Sequence, residues 1–189
     1  MKKNRRKSME VEWDSLNLAI QPQTMKLFSH HFQPPSPILF TGIPGDGRCL
    51  FRSVIHGAWL RSGKQSPSES CQKDLADELR DKVVDEFIKR RADTEWFLEG
   101  DFDNYVVQMR QPHIWGGEPE LLMCSHVLQT PITVYMRDKN TVTLKIISEY
   151  GQEYGKENPI KVLYHGYGHY EVLMSPENSA SSKPRWKKR

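Results

Sequence analysis

One stretch of eight residues organises this sequence: Gly45-Asp46-Gly47-Arg48-Cys49-Leu50-Phe51-Arg52. Glycine adopts backbone conformations that are closed to residues with a Cβ atom, so Gly45 and Gly47 allow main-chain N–H groups to converge near Cys49. Converging N–H groups bind an oxyanion. The stretch therefore predicts a Gly-rich turn that presents a reactive cysteine.

The apolar residues after Cys49 recur at helical spacing and predict a helix with one buried face: Phe51, Val54, Ile55, Ala58 and Trp59. Cys49 then lies at a helix N-terminus, where the helix dipole favours a thiolate by about 0.3–1 kcal/mol. Because a free thiol titrates near ~8.5, a nearby imidazolium must supply most of any further shift of its pKa. A small buried cysteine is the alternative interpretation, but it explains neither the glycines nor Asp46.

The composition indicates one soluble globular domain. The chain has 189 residues, of which 37% are hydrophobic and 10% aromatic. No stretch approaches the roughly 18–20 apolar residues of a membrane span, and the N-terminus lacks the apolar segment of a signal peptide. We therefore expect no membrane association and a cytoplasmic protein.

The charge is distributed unevenly. The net charge is +3, but the two ends of the chain hold 10 of the 27 basic residues, so that residues 8–179 carry 17 basic against 24 acidic residues, a net charge of −7. An acidic body argues against a nucleic-acid-binding surface. The basic ends are read as solvated termini, with nuclear-import signals or phosphate-binding arms as alternatives.

The cysteines and histidines predict neither a disulfide framework nor a metal site. Cys49, Cys71 and Cys124 are few and irregularly placed, and the sequence has no Cys-x-x-Cys pair. The adjacent His30 and His31 have no second ligand cluster and are interpreted as loop residues. We expect no metal and no cofactor.

The order of the predicted elements indicates an α+β domain. Residues 1–37 are irregular and basic, 38–174 form the domain, and 175–189 are a Ser-, Pro-, Lys- and Arg-rich tail predicted to be disordered. Helices are predicted from Cys49 to Gly63, from about Ser70 with a charged outer face, from Asp101, and from Pro119 to Leu128. Alternating residues after Pro131 predict a hairpin and two further strands, forming a small, mainly antiparallel sheet packed between helices.

The sequence narrows the choice of a histidine partner for Cys49. His56 lies seven residues along the same helix, roughly 10 Å away by the rise per residue, and is excluded. His113 and His126 have no carboxylate at orienting spacing. His169 is followed two residues later by Glu171, so both side chains project from one face of a strand.

A carboxylate beside His169 can hold the imidazole tautomer that takes the thiol proton. Glu171 is one candidate for this orienting acid, and Asp46 is another, with a structural part in the cysteine turn as its alternative. His165 is the closest competitor of His169. We prefer His169 because of Glu171, and a structural histidine in a hairpin stays open as the other interpretation.

Trp115-Gly116-Gly117-Glu118 is the second informative stretch. Two glycines upstream of a predicted helix leave bare backbone beside an aromatic ring, where a peptide could lie in extended form. The alternative is a helix-capping loop with a core tryptophan.

Together these segments resemble the ovarian-tumour (OTU) family of cysteine deubiquitinases. Asp46 to Arg52 is similar to the family's cysteine motif, Trp115 to Glu118 to its central motif, and Gly168-His169-Tyr170 to its histidine motif, in family order. The likeness covers roughly Phe40 to Met174. Glu118-Pro119-Glu120-Leu121 and the segment 149–155 resemble plant members in particular.

The resemblance implies a papain-like cysteine protease fold and hydrolysis of the isopeptide bond after ubiquitin's C-terminal Gly-Gly. Cys49 would be the nucleophile and His169 the general base and acid. The backbone N–H groups of Asp46, Gly47 and Cys49 would hold the oxyanion, and residues 115–118 would bind the Gly-Gly tail. The implied partners are ubiquitin and polyubiquitin chains, for a monomeric enzyme that needs no metal.

One residue departs from the family pattern. Members often carry Asp or Asn two residues after the histidine, whereas this chain has Glu171. The longer side chain leaves open whether Glu171, Asp46 or both orient His169. The alternatives are a catalytically weak ubiquitin-binding scaffold, a protease for a ubiquitin-like modifier, and a papain-like acyltransferase or protease acting on another protein. Linkage preference and physiological substrates are not encoded in any recognisable pattern.

Overall fold

A computed structural model describes residues 42–138 and 143–174 of the chain. Within these residues the α-helices are α1 (Cys49–Arg61), α2 (Glu69–Lys89), α3 (Arg91–Thr94), α4 (Phe102–Met109) and α5 (Glu118–Leu128), with 3-10 turns at Glu95–Phe97 and Gln152–Tyr154. In the described part of the chain, none of these helices is both long and apolar enough to cross a membrane.

In the described part of the chain, four strands form one mixed sheet in the order β2-β1-β3-β4. They are β1 (Ile132–Arg137), β2 (Leu144–Tyr150), β3 (Ile160–Tyr164) and β4 (Tyr170–Val172). The pairs β1–β2 and β3–β4 are antiparallel, whereas β1 and β3 run parallel. The parallel pair arises because the chain returns after β2 and places β3 on the other side of β1.

Helix α1 lies against the sheet and carries the cysteine. It packs against β3 and β4 on one side and against α2 on another, and α2 in turn contacts α4 and α5. The packing on the sheet is tight at Gly57, where a Cβ atom would lie 2.7 Å from Cγ2 of Ile160. The core therefore fixes the start of α1 relative to the β3–β4 hairpin.

The local capping residues explain where the helices begin and end. Ser68 accepts a hydrogen bond from the N–H of Cys71 at the start of α2, and Asp101 accepts one from Asn104 at the start of α4. Helix α1 ends at Arg61, and Gly63 follows with φ of 73°, as is common after a helix C-terminus.

The predicted α+β architecture is confirmed. The predicted helices and strands are present, although the sheet contains a parallel pair and the predicted loop after Tyr150 includes a 3-10 turn. The predicted irregular N-terminal segment (1–37), the basic tail (175–189) and the tip of the β1–β2 hairpin (139–142) lie outside the described residues. The domain boundaries therefore stay predictions.

Candidate active site

Cys49 is the first residue of α1 and is only 1% exposed. Of the two glycines before it, only Gly47 has a left-handed backbone, with φ of 87°. A Cβ atom at Gly47 would lie 2.4 Å from the backbone carbon of His113, so this glycine is required both by its φ angle and by its close packing. The expectation that Gly45 also needs such a conformation is wrong, because its φ is not positive.

The carboxylate of Asp46 stabilises the cysteine turn. It accepts a hydrogen bond from the backbone N–H of Arg48 at 3.1 Å and one from Nη2 of Arg52 at 2.9 Å. Nη1 of Arg48 lies 3.6 Å away. These contacts fit a structural role for Asp46 in the cysteine turn, which is one of the two roles that the sequence suggested.

The thiol of Cys49 lies beside the backbone on both sides of His169. Its Sγ atom is 3.7 Å from the carbonyl oxygen of Gly168. Burial raises the pKa of Cys49 above its ordinary value, although backbone N–H groups of Tyr170 and Leu50 act in the opposite direction. The helix N-terminus alone therefore does not lower the pKa of the Cys49 thiol in the free protein, because desolvation of the sulfur outweighs the effect of the backbone N–H groups.

The loop before β4 places His169 directly after Gly168, whose carbonyl contacts the Cys49 thiol. Gly166, Tyr167 and Gly168 all have positive φ angles of 85°, 53° and 81°, which reverse the chain within three residues. The N–H of His165 donates to the carbonyl of His169 at 3.0 Å. The N–H of Gly168 donates to the hydroxyl of Tyr164 at 3.2 Å.

Glu171 is bonded to His165. Nε2 of His165 lies 2.9 Å from a carboxylate oxygen of Glu171. Within residues 42–138 and 143–174, no hydrogen bond joins Glu171 to His169. The role of Glu171 as the acid that orients His169 stays a prediction, and the structure gives this carboxylate a second histidine with which to interact.

Trp115 forms one wall of the site and is not a core residue, since it is 45% exposed. Its ring packs between two glycines: Cβ atoms built at Gly45 and Gly168 would lie 3.7 Å and 3.0 Å from it. The centroids of the Trp115 and His169 rings are 6.5 Å apart. Trp115 therefore contacts both the cysteine turn and the histidine loop.

The buried Glu120 lies against both glycines that follow Trp115. The N–H of Gly117 donates to Glu120 at 2.6 Å, and Tyr105 donates its hydroxyl proton to the other carboxylate oxygen. A Cβ atom at Gly116 would lie 3.3 Å from both Glu120 and Leu50, so bulk is excluded there. Glu118, at the start of α5, is exposed.

Three further histidines of the described residues make other contacts, whereas His30 and His31 lie outside the described residues. His56 is buried and lies 3.0 Å from the hydroxyl of Ser66, and Nδ1 of His126 lies 2.9 Å from the hydroxyl of Tyr154. His113 is exposed, and its backbone packs against Gly47. Cys49, Cys71 and Cys124 are all free. In the part of the chain described, no group of three or more His, Cys, Asp or Glu side chains could hold a metal ion.

Two residues beside the site were not identified from the sequence. Glu120 stands three residues after Gly117, the spacing of a capping box, and that spacing could have revealed it. Arg80 was assigned to the charged outer face of α2, yet it is 1% exposed. The helical period places Arg80 on the buried face, between Ala76 and Val84. The sequence does not identify its partners, because these are carbonyl groups far away in the chain.

Comparison with known proteins places this geometry among cysteine proteases. A family model described as OTU-like cysteine protease matches residues 44–170. The chain is 68% identical over 140 residues to OVARIAN TUMOR DOMAIN-containing deubiquitinating enzyme 4 of Arabidopsis thaliana, a match that covers 74% of this chain and 44% of that protein. The chain spans about half the length of the curated relatives it matches.

Solved structures agree in fold. The OTU domain of OTUD1 superposes with a TM-score of 0.58 at 23% identity, covering 73% of this chain and 86% of that one. An ovarian tumor domain solved in complex with ubiquitin superposes with a TM-score of 0.54 at 21% identity, covering 74% of this chain and 71% of that one. These likenesses concern the fold, while the family match extends over the cysteine turn, Trp115 and His169.

Proposed function

The chain belongs to the OTU-like cysteine protease family, and we propose that it is a deubiquitinase that hydrolyses the isopeptide bond after ubiquitin's C-terminal Gly-Gly. The observation that carries the proposal is the position of Cys49. Its Sγ atom lies at the start of α1, 3.7 Å from the carbonyl oxygen of the residue that precedes His169. Cys49 and the segment that carries His169, which are far apart in the sequence, thus lie close together in the fold.

Cys49 and His169 carry the chemistry in this proposal. His169 accepts the thiol proton, and the sulfur attacks the carbonyl carbon of ubiquitin's terminal glycine. His169 then returns the proton to the departing lysine amine, leaving a thioester. Water, deprotonated by His169, hydrolyses the thioester, which releases ubiquitin and restores the thiol.

The backbone N–H groups of Asp46, Gly47 and Cys49 stabilise the oxyanion of the two tetrahedral intermediates. Support comes from the turn itself. The N–H of Arg48 is already bonded to Asp46, and the φ of 87° at Gly47 reverses the chain beside the thiol. Asp46 thereby acts as a structural residue of the turn, which leaves Glu171 as the candidate for orienting His169.

Trp115, Gly116, Gly117 and Glu118 bind the Gly-Gly tail in this proposal. The ring of Trp115 lies beside both Gly45 and His169. Glu120 accepts a hydrogen bond from the N–H of Gly117, and a Cβ atom at Gly116 would make a tight contact with Leu50, at 3.3 Å. A rigid wall of bare backbone suits a narrow diglycine and discriminates against C-termini with larger side chains.

The experiment uses ubiquitin with a C-terminal electrophile. Wild-type protein should gain the mass of one ubiquitin, whereas Cys49→Ala should gain none and His169→Ala should react far more slowly. Cys71→Ser is the matched control, since Cys71 is a partly exposed free thiol away from the site, and it should be labelled like wild type. A folded wild type that stays unlabelled would contradict the proposal.

A catalytically weak ubiquitin-binding scaffold is the second candidate. Two observations favour it: burial raises the pKa of the Cys49 thiol, and Glu171 is bonded to His165. This candidate predicts saturable ubiquitin binding with labelling that is slow at neutral pH. Parallel labelling with electrophiles made from ubiquitin-like modifiers tests the third possibility, a protease for such a modifier.

The substrate form, the oligomeric state and the compartment are further parts of the proposal. We propose polyubiquitin chains as substrates, to be tested with a panel of linkages. A monomer suffices, because one chain supplies every group of the site. The free Cys49, Cys71 and Cys124 suit a reducing compartment, and we propose the cytoplasm, with cell fractionation as the test.

A further inference from the structure

Arg80 is a charged residue inside the core. It lies on α2, is 1% exposed, and its guanidinium stacks on the ring of Phe51 with 4.3 Å between its central carbon and the ring centroid. Burial lowers the pKa of Arg80 from its ordinary value, although an arginine stays charged. Among the described residues, no carboxylate forms an ion pair with it.

Backbone carbonyl groups are the partners of this buried charge. Nη2 of Arg80 donates to the carbonyl of Gly47 at 2.7 Å and to that of Pro112 at 3.3 Å. Nη1 donates to the carbonyl of Met109 at 2.9 Å. A buried charge is costly, and an apolar side chain of similar volume often stabilises a core equally well or better. Arg80 therefore calls for an explanation beyond packing.

The three carbonyls belong to two segments that bracket the candidate active site. Gly47 lies in the cysteine turn, Met109 is the last residue of α4, and Pro112 lies between α4 and Trp115. These segments touch, since a Cβ atom at Gly47 would overlap the backbone of His113. One guanidinium thus joins the turn that carries Cys49 to the loop that carries the tryptophan wall.

Arg80 also fixes one particular peptide group. A trans peptide is planar, with its C=O and N–H pointing in opposite directions. The carbonyl of Gly47 is bonded to Arg80, and the N–H of Arg48, in the same peptide, is bonded to Asp46. Because this peptide is held at both ends, it restricts the two neighbouring peptides, which carry the N–H groups of Gly47 and Cys49.

We propose that Arg80 is a positioning residue that preorganises the oxyanion hole from behind. The inference rests on the proposed function, because the oxyanion exists only if Cys49 attacks a carbonyl. An interaction that acts only in the transition state changes kcat more than KM. Loss of Arg80 should therefore lower kcat for amide hydrolysis and leave ubiquitin binding almost unchanged.

The test compares two reactions of the full chain. Ubiquitin with a C-terminal alkyne labels the thiol without forming an oxyanion, whereas a fluorogenic ubiquitin amide requires one. Arg80→Met keeps the volume and removes the donors. It should be labelled by the alkyne within about 3-fold of the wild-type rate, while kcat for the amide falls by about 100-fold, the loss typical of a disabled oxyanion hole.

Arg110→Met is the matched control. Arg110 also links α4 to α2, through Asp85 at 2.5 Å and Asp81 at 3.4 Å, but it has no hydrogen bond to the cysteine turn. This variant should keep the wild-type kcat. Arg80→Lys, which keeps the charge but replaces the fork of donors with one ammonium group, should show an intermediate kcat and provides a second folded variant should Arg80→Met unfold.

The outcomes separate the two claims. A wild type that neither reacts with the alkyne nor cleaves the amide would overturn the proposed function, and this inference with it. A reactive wild type together with folded Arg80 variants at the wild-type kcat would overturn the inference alone. Equal losses in labelling and in amide hydrolysis would also overturn it, since they would indicate a general loss of the site.

Discussion

Nε2 of His165 lies 2.9 Å from the carboxylate of Glu171, and the rings of His165 and His169 are 5.7 Å apart between centroids. Glu171, the candidate acid for orienting His169, thus has the other histidine of the same loop as its hydrogen-bond partner. Since the side chain of His165 is 40% exposed and that of Glu171 only 12%, His165 is the partner with more freedom to move away.

His165→Ala should raise kcat for ubiquitin amide hydrolysis. The substitution frees the carboxylate of Glu171, which then can bond His169. We expect an increase of about 2- to 10-fold, the range given by a hydrogen bond worth roughly 0.5–1.5 kcal/mol. Steady-state kinetics with the fluorogenic amide measure it.

Glu171→Gln supplies the control for this experiment. In the Glu171→Gln background, His165→Ala should have no effect on kcat, because no carboxylate remains to be freed. If His165→Ala instead lowers kcat in the wild-type background, then the pair with Glu171 supports catalysis and does not compete with it.

Alkylation of Cys49 by iodoacetamide in the free protein should be slow at neutral pH and should accelerate as the pH rises. Burial raises the pKa of this thiol, so that the thiolate becomes the major form only above the ordinary pKa of a cysteine. The rate is measured by mass spectrometry of the Cys49 peptide. A rate that is already at its plateau at pH 7 would show a preformed thiolate and contradict the expectation.

Gly47→Ala should destabilise the fold far more than Gly63→Ala. Both glycines have left-handed φ angles, 87° and 73°, so each alanine suffers about 1–2 kcal/mol of backbone strain. Only at Gly47 would the new Cβ atom overlap another backbone, whereas nothing lies within 4 Å at Gly63. Urea denaturation of both variants gives the difference, and equal losses would show that the contact with His113 yields easily.

The position of Cys49 at the start of a helix could be predicted from the sequence because its determinants are local. The glycines before Cys49 and the apolar period after it specify a turn followed by a helix, and the structure has both. The strand that follows His169 could also be predicted from its own alternating residues. Both features depend on residues that are close together in the sequence.

The contacts of Glu171 and Arg80 could not be predicted because they depend on distant segments. Alternation within a strand placed Glu171 on the face of His169, but the reversal at residues 166–168 brings His165 to the same carboxylate. The charge of Arg80 led to its assignment to solvent, and only the folded chain shows that Arg80 donates a hydrogen bond to the carbonyl of Gly47. The raised pKa of Cys49 likewise follows from burial, which is a property of the whole core.

Glu120→Gln should keep the fold and the activity, while Glu120→Ala should lose both. A glutamine of the same shape can accept from the N–H of Gly117 through its oxygen and donate to the hydroxyl of Tyr105 through its nitrogen. Alanine leaves both groups without the partner they have in the folded chain, which costs about 2–5 kcal/mol for two buried polar groups and a cavity. Chemical denaturation and amide hydrolysis measure the two effects.

The pH dependence of stability tests whether the buried carboxyl of Glu120 has a raised pKa. Burial raises the pKa of Glu120, so between its ordinary value and the raised one the folded state binds more protons than the unfolded state. The free energy of unfolding must then fall as the pH rises through that window. The wild type should lose stability relative to Glu120→Gln from about pH 4.3 upwards. A constant difference between the two proteins across this range would mean that Glu120 titrates as an ordinary carboxyl.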